Sequence, residues 1–210
     1  MKVEIYADVA CPWCYIGKHR FERALAAFPG GDAVEVVYRP FQLDPDAPTE
    51  ATSHRAWLDE RHGPEYSGMD ARVAQLGLAE GITFDFDRAL HVNTLAAHRL
   101  LAHALAEGGP AAQRSVAEAL FAARYSTGGD VGDPAKLARI AEQAGLDRAA
   151  AEAYLASGAG AADVLAQIDA ARDLGVKAVP TYIFDGRFAV ESAHETSTFL
   201  QVLDQVAQSD

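Results

Sequence analysis

The sequence predicts an α/β protein that is interrupted by a block of helices. Strand and helix patterns alternate at both ends of the chain, whereas apolar residues at helical spacing fill the region between them. We therefore expect one discontinuous α/β domain, formed by residues 1–43 and 159–210, and an all-helical insertion domain at residues 44–158. With 210 residues, half of them hydrophobic, the chain can bury such a core.

The first end of the chain reads as a strand, a helix and a second strand. "KVEIYAD" (2–8) alternates apolar and polar residues, as a half-buried strand does. A helix follows with Pro12 in its first turn, where no backbone N–H partner is lost. Its apolar stripe contains Phe21, Leu25 and Phe28. Because "AVEVVYRPFQL" (33–43) is a second strand, this end predicts a right-handed βαβ unit.

Helical patterns separated by Gly or Pro fill the middle of the chain. The predicted helical segments are residues 53–63, 65–81, 94–109, 111–129, 134–145 and 148–158. A connector lies between the second and third segments, and no repeat period suggests a solenoid.

The second α/β end begins with a helix at 161–175. Its buried stripe contains Val164, Ile168 and Ala171. "VKAVPTYIFDGRFAVES" (176–192) predicts a hairpin, because Asp185–Gly186 is a strong turn signal between β-forming residues. A final amphipathic helix follows at 195–208.

The charge of the chain argues against two classes of partner. The formal net charge is −12, whereas nucleic acid and anionic membrane surfaces both require a basic face on the protein. The first residues lack the apolar region of a signal peptide, and no apolar run approaches the roughly 18 residues of a membrane span. We therefore expect a cytoplasmic protein, in which structural disulfides are rare.

Both cysteines lie in "DVACPWCYIG" (8–17), three positions apart. Cys14 precedes Phe21 by seven residues and shares its buried stripe, whereas Cys11 starts the helix and is expected to be exposed. The positive end of the helix dipole stabilises a thiolate. A thiolate backed by a sheltered thiol can attack a disulfide, and the second thiol can resolve the mixed disulfide.

Two other interpretations of the cysteine pair are open, a metal site and inert thiols. A structural zinc site needs about four ligands, so two histidines would have to complete it. The histidines of the chain are His19, His54, His62, His91, His98, His103 and His194. Since no two of them have the His-x-x-x-His spacing of a helical site, redox chemistry is favoured and no metal is predicted.

A second motif, "VKAVPTYIF" (176–184), places Pro180 immediately before a strand. A proline at such a position often only marks a sheet edge or a turn. In a redox fold it can instead be a cis proline beside the cysteines, which presents the backbone of Val179 to an extended substrate.

Together these motifs resemble the DsbA family of the thioredoxin fold, in particular its FrnE-like subgroup, which is described as 2-hydroxychromene-2-carboxylate isomerase-like. The resemblance is carried by "DVACPWCYIGK", "YRPFQLDP", "NTLAAHRL", "LFAARYSTGGDVGD" and "GVKAVPTYIFDGRFAVESA". It spans essentially the whole chain. It implies a thioredoxin-like fold, with a central mixed β-sheet flanked by helices and a helical insertion.

The resemblance also implies catalytic roles. Cys11 would be the nucleophile, Cys14 the resolving thiol, and Pro180 a cis proline after Val179. The redox-active disulfide Cys11–Cys14 would then be the only redox group, and no other cofactor would be required.

Further residues are candidates for contact with substrate. Pro12 and Trp13 are expected on the rim around the Cys11 sulfur, and Val179 and Thr181 flank the proline of the second motif.

Glutathione is a second way to use the same scaffold. The 2-hydroxychromene-2-carboxylate isomerases and kappa-class glutathione transferases that share this architecture typically carry Ser where this chain has Cys11. That difference argues against glutathione-dependent isomerisation or transfer, although glutathione as a co-substrate is left open. A glutathione site at Ser192 or His194 is the weaker alternative.

Three polar residues near these motifs have both structural and functional interpretations. Asp8 can cap the active-site helix or accept a proton, and Asn93 can cap a helix or contact substrate. His98 shares an apolar stripe, so a core histidine is favoured over a substrate contact. Phe41 and Leu43 are expected to pack at the junction of the two domains.

The predicted function is thiol–disulfide exchange on a protein or small-molecule substrate. The alternatives are a glutathione-dependent isomerase or transferase and a non-enzymatic module that binds a metal or a partner through the cysteines. The direction of exchange and the oligomeric state, a homodimer included, are left open.

Overall fold

The computed structural model describes residues 1–63 and 67–209. The strands are β1 (Lys2–Ala7), β2 (Glu35–Pro40), β3 (Thr52–Ser53), β4 (Leu90–His91), β5 (Thr181–Phe184) and β6 (Phe188–Glu191). The α-helices are α1 (Pro12–Ala27), α2 (His54–His62), α3 (Ser67–Ala79), α4 (Leu95–Ser126), α5 (Pro134–Gln143), α6 (Arg148–Ala156), α7 (Ala161–Asp173) and α8 (Thr196–Ala207). No helix within these two ranges is both long and apolar enough to cross a lipid bilayer.

Four strands form one mixed sheet in the order β2-β1-β5-β6. β1 runs parallel to β2 and antiparallel to β5, and β5 continues into the antiparallel hairpin with β6. Asp185 and Gly186 form the hairpin turn, both with positive φ (48° and 67°), as a type I′ turn requires. The predicted strand–helix–strand unit, the hairpin and the central mixed sheet are confirmed.

The helix that carries the cysteines packs closely against the sheet and against α8. Its Phe21 ring lies 5.3 Å from Phe199 of α8, which in turn lies 4.6 Å from Tyr182 of β5. Gly17 permits this approach, since a Cβ there would lie only 2.5 Å from the Tyr182 hydroxyl. The sequence stripe of α1 therefore fixes the active-site helix to the core.

The middle of the chain is helical, as predicted, with differences in detail. The segments predicted at 94–109 and 111–129 adjoin in α4, which breaks at Gly109 (φ 69°, ψ −169°) before Pro110. In the segment predicted at 65–81, the helix is described from Ser67 onward, and residues 64–66 lie outside the described residues. A two-stranded ladder of β3 and β4 was not predicted, because two-residue strands have no detectable alternation.

Residues of the helical block and of the sheet share one hydrophobic core. Val36 of β2 and Leu120 of α4 belong to the same buried cluster. The division of the chain into two domains stays a prediction.

The junction after β2 differs from the sequence expectation. Phe41 is buried as expected, but the expected packing of Leu43 is wrong, because 51% of this residue is exposed. β2 ends at Pro40, and the Leu43 N–H donates to the Asp8 carboxylate at 2.8 Å. This bond fixes the Leu43 backbone while its side chain remains outside the core.

The outer edge of β2 is closed by one side chain of α4. The buried Gln113 accepts a hydrogen bond from the Tyr38 N–H at 2.8 Å and donates to the Tyr38 carbonyl at 3.0 Å. The amide therefore pairs with Tyr38 as a neighbouring strand would, and it also donates to Leu101 in its own helix at 3.3 Å.

We expect Gln113→Ala to lower the free energy of unfolding by about 2–4 kcal/mol, because it leaves the N–H and C=O of Tyr38 buried without partners. Urea denaturation at pH 7 measures this loss. Gln205→Ala, on the exposed side of α8, is the matched control and should change the value by less than about 0.5 kcal/mol. Equal stability of the two variants would contradict the role given to Gln113.

Candidate active site

The cysteine motif forms the start of α1. Cys11 is the N-cap residue, in extended conformation (φ −98°, ψ 112°), and Pro12 follows as the first helical residue. The Cys11 N–H donates to the Asp8 carbonyl at 3.0 Å, and the Cys14 N–H donates to the Cys11 carbonyl at 3.1 Å. These bonds hold the turn that places Cys11 at the positive end of the helix dipole.

Both cysteines are free thiols, and both are buried. Only 2% of Cys14 is exposed, as the helical stripe predicts. The prediction of an exposed Cys11 is wrong, since only 4% of this residue is exposed. The segment at Val179 covers its sulfur, and the end of α4 lies against the same turn through a hydrogen bond of 2.5 Å from the Tyr125 hydroxyl to the Ala10 carbonyl.

The second motif lies directly against the first. The Cys11 thiol donates to the Val179 carbonyl, with 3.5 Å between sulfur and oxygen. The Val179–Pro180 peptide bond is cis, and Pro180 is buried. The Pro180 carbonyl accepts a hydrogen bond of 2.8 Å from Ser192. The structure therefore brings together residues that are 168 positions apart in the sequence.

The Cys14 thiol ionises less readily than an ordinary thiol. Burial raises the pKa of the Cys14 thiol well above its usual value, and a hydrogen bond to Cys11 and the charge of Cys11 raise it further. A hydrogen bond from the Asp8 backbone opposes the rise without cancelling it. Cys14 is therefore a protonated reserve thiol at neutral pH.

Asp8 lies fully buried beneath the motif and uses both carboxylate oxygens. Oδ1 accepts a hydrogen bond from Ala10 at 3.1 Å and lies 3.4 Å from His98 Nε2, while Oδ2 accepts the bond from Leu43. Burial opposes ionisation of this carboxyl, but His98 and the two N–H donors outweigh it and lower its pKa. Asp8 and His98, interpreted separately from sequence, are therefore one buried pair.

Asn93 has a structural role in the described fold. Its amide donates to the Pro45 carbonyl at 2.8 Å, and its side-chain oxygen accepts from Leu95 at 2.9 Å and from Gln42 at 3.0 Å. These bonds fasten the segment after β2 to the start of α4. The helix-capping interpretation of Asn93 matches this geometry better than a substrate contact does.

The remaining candidates differ in exposure. Pro12 and Trp13 are half-buried beside Cys11, as expected of a rim. Thr181 is buried, and its hydroxyl donates to the Ala178 carbonyl at 2.8 Å. This hydrogen bond stabilises the loop between Ala178 and Thr181. Ser192 and His194 are exposed after β6.

Sequence reasoning missed two buried neighbours of the motif, Arg124 and Tyr125 at the end of α4. Burial raises the pKa of the Tyr125 phenol far above its usual value, although the charge of Arg124 opposes the rise. No local pattern could assign them, since the turn that Tyr125 contacts lies 115 positions away. Within the described residues, no group of three or more His, Cys, Asp or Glu side chains is placed to hold a metal ion.

The sequence matches the family model for the DSBA-like thioredoxin domain over residues 2–204. The chain belongs to the DSBA-like thioredoxin domain family. The resemblance drawn from the motifs is thereby confirmed.

Solved structures agree with this membership. A probable DsbA oxidoreductase from Streptomyces coelicolor has a TM-score of 0.91 and 34% identity, covering 100% of this chain and 91% of that chain. A 2-hydroxychromene-2-carboxylate isomerase has a TM-score of 0.73 and 17% identity, covering 100% and 97%. The cytosolic disulfide reductase DsbM from Pseudomonas aeruginosa has a TM-score of 0.69 and 17% identity, covering 100% of both chains. The isomerase and DsbM are each only 17% identical to this chain, so these two similarities support the fold alone.

A curated relative matches over a short stretch. The uncharacterised protein YwbO of Bacillus subtilis is 42% identical over 43 residues, which are 20% of this chain and 20% of that protein.

We expect the two thiols to differ in alkylation, because burial raises the Cys14 pKa, whereas Cys11 lies at the positive end of the helix dipole. Each thiol is measured alone, in the folded variant that lacks the other thiol. Iodoacetamide should modify Cys11 in Cys14→Ser at least about tenfold faster than it modifies Cys14 in Cys11→Ser. Mass spectrometry of the reduced proteins at pH 7 measures both rates. Both variants in denaturant serve as the control and should react equally, whereas a faster native Cys14 would contradict the assignment.

The lowered pKa of Asp8 also predicts a pH dependence. A carboxyl whose folded pKa lies below its unfolded value contributes stability above about pH 4, and this contribution disappears as the pH falls through the folded pKa. At pH 7, Asp8→Asn should lower the free energy of unfolding by about 1–3 kcal/mol. The difference from wild type should shrink below about pH 4, which urea denaturation at several pH values would measure. A difference that grew on acidification would contradict the assignment.

Proposed function

We propose that this protein is a thiol–disulfide oxidoreductase in which Cys11 attacks and Cys14 resolves. The observation that carries the proposal is the position of the Cys11 sulfur at the start of α1, 3.5 Å from the Val179 carbonyl and backed by Cys14. Family membership supports the same class of chemistry. The substrate is a disulfide or dithiol carried by a protein or a small molecule.

The first step is attack by the Cys11 thiolate on one sulfur of the substrate disulfide. The substrate S–S bond breaks, a Cys11–substrate disulfide forms, and the other substrate sulfur leaves as a thiolate that takes up a proton. The helix dipole favours the attacking thiolate, and the Cys14 thiol donates a hydrogen bond to it.

The second step, attack by Cys14, becomes easier once the first step has formed the mixed disulfide. Burial is the largest cause of the raised Cys14 pKa, and the hydrogen bond and charge of Cys11 raise it further; these two contributions are lost when the Cys11 sulfur enters the mixed disulfide. Cys14 then ionises more easily, attacks the Cys11 sulfur and expels the second substrate thiolate. The protein ends as the Cys11–Cys14 disulfide, and two electrons have moved to the substrate. The reverse sequence oxidises a dithiol.

Val179 and the motif residues around Cys11 define where the substrate lies. The Val179 carbonyl approaches the sulfur from one side, so a substrate chain bonded to Cys11 lies beside this backbone, with Pro180 behind it. Pro12 and Trp13 are half-exposed and form the other wall. Because Cys11 itself is almost fully covered, a flexible or small substrate fits this site better than a rigid surface.

Glutathione-dependent isomerisation or transfer is the second candidate function. The fold shared with the 2-hydroxychromene-2-carboxylate isomerase favours it. The cysteine pair argues against it, because glutathione would attack an oxidised Cys11–Cys14 disulfide, forming a Cys11–glutathione disulfide and releasing the Cys14 thiol. Glutathione fits better as the reductant of the Cys11–Cys14 pair, and DsbM has been solved with glutathione. A cytoplasmic location, like that of the cytosolic reductase DsbM, is part of the same proposal.

Reduction of hydroxyethyl disulfide by the pre-reduced protein tests the proposed chemistry. Cys11→Ser should lower the rate by about 1,000-fold or more, since it removes the nucleophile. Cys14→Ser should accumulate a mixed disulfide, visible by mass spectrometry, because the resolving thiol is absent. Dithiothreitol should reduce this mixed disulfide and release the substrate thiol from Cys11.

The outcome for Cys11→Ser separates the candidates. Retention of disulfide reduction in this variant would refute the oxidoreductase mechanism. Retention of glutathione-dependent isomerisation of 2-hydroxychromene-2-carboxylate, together with no disulfide exchange by wild type, would favour the second candidate.

A further inference from the structure

A small cavity lies beside the active-site turn, between the end of β1 and the helical block. Its volume is about 70 Å³. Its wall includes Ala10, Leu43, Trp57, His91 and Arg124. We call it the Arg124 cavity.

Arg124 is a buried charge with two donor atoms that no described protein group satisfies. Only 2% of the residue is exposed, and its Nε and Nη1 atoms have no hydrogen-bond partner among the described residues. A guanidinium group cannot shed its proton at any ordinary pH, so the charge persists inside the protein. A buried charge of this kind requires compensation by hydrogen bonds or by an opposite charge.

The other buried arginines show what compensation looks like in this fold. Arg99 donates to the carbonyls of Ala159 at 2.8 Å and of Tyr154 at 2.9 Å. Arg20 donates to Glu80 at 2.6 Å and to the Ala193 carbonyl at 2.8 Å. Arg124 has no comparable set within residues 1–63 and 67–209. Its contacts with Tyr125, a side-chain hydrogen bond and a ring 5.5 Å from the guanidinium carbon, leave Nε and Nη1 without partners.

The carboxylates that line the cavity are already engaged. Asp8 is bonded to two backbone N–H groups and lies against His98. Asp44 lies 3.6 Å from His91 and is partly open to solvent. Arg124 sits in the last turn of α4, where the helix dipole favours a cation but leaves these side-chain donors unused.

We propose that the Arg124 cavity binds a small carboxylate anion. A cavity needs on the order of 10–15 Å³ to hold one water, so its volume of about 70 Å³ leaves room for a group the size of formate or acetate. A single guanidinium matches one negative charge and the planar shape of a carboxylate. Trp57, stacked on His91 at 4.2 Å, forms a flat wall of the cavity. The ligand is either a free acid or the carboxylate arm of a thiol substrate.

Thermal unfolding of the whole protein tests the site without involving the thiols. Acetate at about 100-fold above its Kd should raise the Tm of wild type by about 5–10 °C. Acetamide, its neutral isostere, and sodium chloride at equal ionic strength should have much smaller effects. Equal shifts from all three, or no acetate binding by calorimetry, would show that only water fills the cavity and would overturn the proposal.

Two arginine variants give the matched comparison. Arg124→Gln should lose the acetate response. Arg99→Gln, which removes a buried arginine that has protein partners, should keep it even if its Tm is lower. Loss of the response in both variants would overturn the site assignment, and if Arg124→Gln does not fold, the wild-type calorimetry still decides.

Kinetics of the wild type distinguish the two sources of the carboxylate. If it belongs to a thiol substrate, acetate should slow reduction of dithiodiglycolate several-fold and leave hydroxyethyl disulfide unaffected. If it is a free acid, the ratio of the two rates should not change while the Tm response persists. A failure of exchange with both disulfides would count against the proposed function, whereas the thermal response alone decides the anion site.

Discussion

The buried carboxylate of Asp8 is the constraint on which the active site depends. A charge removed from water must be matched, and this one is matched by the N–H of Ala10, the N–H of Leu43 and the ring of His98. These groups belong to the active-site turn, the exit of β2 and the helical block. Since the Asp8 carbonyl also accepts the Cys11 N–H, one residue fixes the nucleophile relative to all three segments.

Burial also shapes the chemistry of the two sulfurs. In a solvent-exposed pair, water would screen the influence of one thiol on the other. Here both lie in the core, so burial raises the pKa of the Cys14 thiol, and the hydrogen bond and charge of Cys11 add to this rise with little screening. In the proposed mechanism, Cys14 therefore stays protonated until Cys11 has attacked the substrate.

Local patterns in the sequence predict those parts of the structure that local interactions determine. Pro12 marks the start of α1, the spacing from Cys14 to Phe21 predicts a buried thiol, and Asp185–Gly186 predicts the hairpin turn. The cover over Cys11 could not be predicted this way, because it comes from Val179 and from the end of α4, each more than 100 positions away. A helical wheel describes one helix and contains no information on what packs over its first residue.

The helical block is therefore part of the active site and not only an attachment to the sheet. Its α4 helix closes the free edge of β2 through Gln113, places His98 against Asp8, and ends with Tyr125 bonded to the carbonyl of Ala10. A change in the block that moved α4 would thus alter access to Cys11 while leaving the cysteine motif itself unchanged. In the proposed mechanism, the cysteine motif would supply the reaction, and the packing of α4 would supply the cover that a substrate must fit.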